Sequence, residues 1–120
     1  MKSPLNVLVL RLFAPILVVV GVMGFVVPAS AAMTSGAAPY NVFHIVFGLI
    51  GLGCVMSRKP GAARAFNLGF GFIDLYQALA SATDLWPRSL FLWTRVDDAL
   101  HVIVGAGLVI VALAARKDGP

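Results

Sequence analysis

The chain holds two histidines, and both sit in the same local pattern. His44 lies in NVFHIVFG, residues 41–48, and His101 in DALHVIVG, residues 98–105. Asn41-x-x-His44-x-x-x-Gly48 thus returns 57 residues later as Asp98-x-x-His101-x-x-x-Gly105. On a helix, residues three before and four after a position share its face. Each histidine therefore shares a face with a polar residue and a glycine. Three chemistries suit such a pair. In the first, each imidazole is structural and donates to a backbone carbonyl, or to Asp84, Asn41 or Asp98. In the second, His44 and His101 are axial ligands of one b-type haem, and Gly48 and Gly105 make room for the macrocycle. A chlorophyll-type magnesium would take a single histidine in the same way. In the third, both histidines join Asp84 and Asp98 around zinc or copper. The chain lacks the C-x-x-C-H of covalent haem attachment.

A second set of polar residues is regularly spaced. Asn67, Asp74 and Ser81 recur every seven residues, and Gln77 and Asp84 recur with the same step three residues later. These are the a and d positions of a heptad, one stripe along a helix. Lipid penalises such a stripe, so it is expected to face the inside of a bundle. Asp74 falls near mid-membrane, where an ionised carboxylate costs several kcal/mol unless paired. A protonated carboxyl, or one hydrogen-bonded to Gln77, Tyr76 or a partner chain, is the expected state. The stripe reads either as a proton or ion relay centred on Asp74 or as a polar seam that fixes helix packing.

The elements that carry these residues are set by composition. The chain has 120 residues, 60% hydrophobic and 12% charged, with a mean hydropathy of +0.95. Soluble domains are roughly half apolar and a quarter charged, so a bilayer is the expected solvent. A spanning helix needs about 20 mostly apolar residues. Four runs approach that length, at residues 5–28, 40–57, 62–85 and 99–115. They are continuous rather than alternating, which excludes barrel strands. The fold expected is all-α: one domain of four transmembrane helices, arranged as two tandem hairpins.

Charge orients them. Lys2 and Arg11, then Arg58, Lys59 and Arg64, then Arg116 and Lys117 all fall on one side of a four-span topology. The other side carries Arg88 and Arg95 against Asp84, Asp97 and Asp98. Positive loops stay in the cytoplasm, so both termini are expected there. Tyr40, Trp86 and Trp93 then fall at the outer interface, where amphipathic rings prefer to sit. Residues 85–95 read as an interfacial segment. Lys2, the first apolar run and Ala29-Ser30-Ala31 also resemble a cleaved secretory signal, but the run is long and interrupted by Arg11, which favours an uncleaved first span. Pro15 is expected to bend it. The basic residues form no continuous stripe, so their +4 net charge does not indicate a nucleic-acid partner.

The repeat places both histidines at matching depth, in copies that run in the same direction, unlike inverted transporter repeats. Over residues 41–110, NVFHIVFGLIGL, ARAFNLGFGFIDL and DDALHVIVGAGL resemble an uncharacterised family of small bacterial four-helix integral membrane proteins. Their second and fourth helices open on a similar His- and Gly-containing motif. That resemblance implies the four-helix architecture and a bacterial inner membrane, and it brings no activity with it. No nucleophile elbow, phosphate loop or metal motif appears. Cys54, the single cysteine, lies in an apolar run and reads as packing. The functions expected are a non-catalytic accessory or scaffold subunit working with other membrane subunits or copies of itself, a haem-binding protein using His44 and His101, or a proton or ion carrier using Asp74.

Overall fold

The computed structural model describes residues 5–115; Lys2, Arg116 and Lys117, which enter the charge argument, lie outside them. Four long helices account for most of the described chain: α1 (Leu5–Val26), α2 (Ala38–Met56), α3 (Pro60–Thr83) and α5 (Arg95–Ala114), with a single short turn of helix, α4 (Arg88–Phe91), between the last two. No strand occurs among the described residues.

Local chemistry sets the boundaries. Pro39 and Pro60 each fall in a helix's opening positions, where the missing N–H has no intrahelical partner to lose. Lys59, just before Pro60, is extended, as a residue preceding proline prefers to be. Asp84 ends α3 in the left-handed region, at φ 59°. Thr94 caps α5 in a reciprocal capping box: its side chain accepts from the Asp97 N–H, and the Asp97 carboxylate accepts from the Thr94 N–H. Pro15 lies within the continuous helix α1.

The helices pack most closely as α1 with α2 and α3 with α5. The two pairs meet chiefly where α3 touches α1 and α2, while α1 and α5 barely touch. The core between the pairs is aromatic. Phe70 lies within 5.8 Å of Phe13 and 5.3 Å of Phe47, centroid to centroid, and stacks on Phe66. At the end that holds the α1–α2 and α3–α5 loops, Tyr40, Ala80 and Trp93 form a second buried cluster. At the other end, the Asn67 side chain donates to both Asn6 oxygens at 3.1 Å, and Arg64 donates to the Ala112 carbonyl at 2.8 Å.

Three helices are long and apolar enough to cross a membrane: α1, α2 and α5, with mean hydropathies of 2.5, 1.6 and 2.0. α3, at 24 residues, has the length, but its polar residues take it out of that group. The chain is therefore an all-helical protein with membrane-spanning capacity.

Candidate functional site

One cavity gathers the chemistry of the chain. It measures about 140 Å³ and lies between the two helix pairs, with Tyr40, His44, Asp74, Asp97 and His101 in its wall among aliphatic and aromatic side chains. Its composition follows a rule. Phe13 and Phe70, Leu17 and Asp74, Tyr40 and Asp97, and His44 and His101 all line it, and each pair is separated by 57 residues. The offset of the histidine motif thus extends into α1 and α3, and the two hairpins are equivalent across the cavity. Two of the pairs touch directly. The Phe13 and Phe70 rings are 5.8 Å apart, and Tyr40 Oη donates to Asp97 Oδ1 at 2.6 Å. Equivalent positions of the two hairpins thus meet at the cavity.

Asp97 is the best-connected side chain in this region. Oδ1 accepts from the Tyr40 hydroxyl; Oδ2 accepts from the Ser35 N–H at 2.7 Å and the Thr94 N–H at 2.9 Å. A buried carboxylate survives when several donors replace water. Here they come from the loop before α2, from α2 itself and from the cap of α5. Ser35 Oγ donates in turn to the Phe91 carbonyl, and Thr94 Oγ1 to the Met33 carbonyl. This network fastens the α1–α2 loop to the segment that starts α5.

The histidines are both buried but differ in their partners. His44 Nδ1 is 2.8 Å from the carbonyl of Tyr40, one turn back. Its ring lies 4.1 Å from that of Tyr40 and meets Phe43 edge-on. His101 meets Trp93 edge-on at 5.8 Å, and its Nδ1 has no hydrogen-bond partner. The residues three before them also diverge. Asn41 is fully buried and donates to the Gly36 carbonyl at 2.9 Å, whereas Asp98 is half-buried.

Gly48 and Gly105 make room for helices, not for a macrocycle. A Cβ on Gly48 would sit 2.8 Å from the Val18 nitrogen and 3.0 Å from the Ala14 carbonyl oxygen of α1. A Cβ on Gly105 would sit 2.9 Å from the Gly71 carbonyl oxygen of α3. Ala14 and Gly71 are themselves 57 residues apart, so the close approach is the same contact in both hairpins. The cavity also bears on the haem expectation: a cavity of about 150 Å³ takes a single benzene ring, and a tetrapyrrole is several times larger. Zinc or copper held by His44, His101, Asp84 and Asp98 does not fit either. Asp84 is exposed at the end of α3, where it pairs with Arg88 at 3.2 Å, and the described residues contain no group of three or more His, Cys, Asp or Glu side chains that could hold a metal.

Asn67, Asp74, Gln77 and Ser81 all point into the bundle. Asp84 does not, because α3 ends at Thr83 and the heptad step stops with it. Gln77 Nε2 donates to Asp74 Oδ1 at 3.2 Å, while Tyr76 instead donates to the Trp86 carbonyl. Of the three aromatics expected at the interface, Trp86 is exposed, but Tyr40 and Trp93 are packed inside. Tyr40 needs Asp97 as its partner, and Trp93 is enclosed by Phe91 and His101. Asp97 itself is absent from the sequence-based set of site residues. Its signal was available, since the Thr94-x-x-Asp97 spacing before an apolar run is that of a capping box.

Comparison with family models, with curated proteins and with solved structures returned no match.

Proposed function

We propose that the chain is a four-span protein of the bacterial inner membrane, with both termini cytoplasmic, that serves as a non-catalytic subunit packing with other membrane subunits or with copies of itself. The observation that carries the span count is the orientation of α3. Its polar seam is buried, while Phe72, Tyr76 and Leu79 face outward. A helix that hides its polar stripe offers lipid an apolar surface even when its mean composition is modest. The positive-inside rule then places the α2–α3 turn, with Arg58 and Lys59, in the cytoplasm.

The non-catalytic reading draws on how the reactive groups are engaged. Asp97 is held by three donors, His44 by its own helix backbone and Asp74 by Gln77. Association with partners draws on Gly53, Gly69 and Gly107, which lie on three helices with open space above each. Such positions let another helix approach closely.

Reporter fusions test the topology. A cytoplasm-active reporter is expected to work at Lys59, and an exterior-active one at Met33 and Ser89. An exterior signal at Lys59 would overturn it. Mild-detergent purification with native mass measurement tests the subunit role, with a specific heteromer or homo-oligomer expected. A lone chain from native membranes would refute it.

A further inference from the structure

We propose that Arg11, Arg58 and Lys59 form a binding site for an anionic phospholipid of the cytoplasmic leaflet, whose phosphate the Arg11 guanidinium holds. The site rests on the membrane placement above, which the reporter fusions test separately.

Arg11 is a charge that the packing of the bundle does not use. It interrupts the first apolar run, and it is exposed on α1 beside Leu8 and Leu12, which are exposed too. It follows Leu5 by about 9 Å of helix. A guanidinium at that depth on a lipid-facing surface needs water or an anion. Helical side chains lean toward the N-terminus, which for α1 is the cytoplasmic end. Arg11 thus extends toward the headgroups with its stem along apolar surface.

The fold brings two more cations to the same corner. Leu10 of α1 stands against Gly51 of α2, and Val18 against Gly48. Arg11 adjoins Leu10 in sequence and lies one heptad before Val18, on the same face. It is therefore on the flank of α1 beside α2, level with the last turns of that helix. α2 ends at Met56, and the turn after it presents Arg58 and Lys59, both exposed. Arg58 has a φ of 60°, a conformation that helix ends usually give to glycine. Charge, not backbone ease, accounts for an arginine there.

Among the described residues no carboxylate stands with these three. Asp74 lies within the bundle, and Asp84, Asp97 and Asp98 lie near the other end, where Asp84 pairs with Arg88. Arg64, the remaining described cation of this end, is engaged by the Ala112 carbonyl at 2.8 Å. A phospholipid supplies the missing anion in a fitting form. The planar fork of arginine matches phosphate in bidentate fashion. Arg58 and Lys59 favour a headgroup with net negative charge, which the cytoplasmic leaflet provides. The acyl chains cover Leu8 and Leu12, which a soluble acidic partner would leave bare.

The test uses the full chain, delipidated in mild detergent and titrated with phosphatidylglycerol or phosphatidylcholine, with native mass spectrometry counting the lipids retained. One tightly held phosphatidylglycerol per chain is expected, preferred about tenfold over phosphatidylcholine, with the preference fading at high salt. Arg11→Gln is expected to weaken phosphatidylglycerol binding about tenfold, the value of one charge-assisted hydrogen bond. Arg11→Lys keeps the charge without the fork and is expected to fall between. Arg58→Gln with Lys59→Gln is expected to erase the preference between the lipids. Arg88→Gln, at the opposite end, is expected to change nothing. Circular dichroism checks folding in each case. Equal retention of the two lipids by the parent, or parental affinity in Arg11→Gln, would overturn the proposal. So would an equal loss in Arg88→Gln, which would reduce the effect to net charge. Complete displacement of the lipid by inorganic phosphate would assign the site to a soluble anion instead. In detergent the titration reads the site whichever end faces the cytoplasm, so its failure is distinct from a failure of the topology.

Discussion

The two hairpins share one skeleton and divide the polar work unequally. Ala14 and Gly71 accept the same glycine contact from the facing helix, and Phe13 and Phe70 reach the same cavity. Yet where the first hairpin has Leu10, Leu17 and Val20, the second has Asn67, Asp74 and Gln77 at the equivalent positions. α1 thus has the highest hydropathy of the three apolar helices, and α3 falls below them. The contrast shows that helix contact in this bundle is set by backbone approach and needs no polar group. Along the face where the two pairs meet, α3 carries most of the polar side chains, and α1 contributes Asn6 at its end. Burial makes that arrangement compatible with a bilayer, since Asn67, Asp74 and Gln77 each find a hydrogen-bond partner inside the protein.

If the glycine contact is the shared element, breaking it in either hairpin is expected to have the largest effect. Gly105→Val would drive side-chain atoms into the Gly71 carbonyl, and Gly48→Val into the backbone of α1 at Ala14 and Val18. Overpacking against backbone cannot be relieved by a rotamer change, so each is expected to cost at least about 3 kcal/mol. Gly53→Ala and Gly107→Ala have open space and are expected to be neutral or to gain up to about 1 kcal/mol of helix propensity. Unfolding by SDS titration in mixed micelles measures all four. A Gly48→Val variant as stable as the parent would break the equivalence of the hairpins.

The next largest effect is expected where equivalent positions meet. Asp97→Ala leaves the Tyr40 hydroxyl and the Ser35 and Thr94 N–H groups without their acceptor, a loss of about 2 kcal/mol or more. Tyr40→Phe removes one donor and leaves the carboxylate its others, for about 1 kcal/mol. The double variant should therefore lose less than the sum of the singles. Strict additivity would mean that the short contact contributes nothing.

Much of this could be read from sequence, and the failures have physical causes. The four long helices end within a few residues of the expected spans because proline, the capping box and the ends of apolar runs mark boundaries locally. The inward turn of Asn67, Asp74, Gln77 and Ser81 follows from their spacing alone. Asp84 broke the pattern because a heptad persists only while the helix does. Trp93 and Tyr40 face the bundle rather than lipid because aromatic rings near a helix end satisfy either, and only tertiary contacts decide. The equivalence of α1 with α3 was hidden for a related reason. Apart from Phe13 and Phe70, the matching positions around the cavity pair unlike residues there, Leu17 with Asp74 for example, and share only a place in space.

That last difference can be erased directly. Asp74→Leu with Gln77→Val would give the second hairpin the residues that the first carries at Leu17 and Val20. Both side chains are almost fully buried and bond to each other at 3.2 Å. Replacing a buried polar pair by apolar residues of similar volume is often neutral or stabilising, so the double variant is expected to equal the parent or exceed it by about 1 kcal/mol. Asp74→Leu alone should be less stable than the double variant, because it leaves the Gln77 amide buried without its acceptor. The reverse change, Leu17→Asp, should destabilise the first hairpin, which offers no glutamine one turn on. SDS titration ranks the four proteins. If the double variant proves clearly less stable than the parent, the pair contributes to holding the helices together. If it matches or exceeds the parent, the pair is retained for something other than stability, and the native mass measurement, repeated on this variant, would show whether that is a partner.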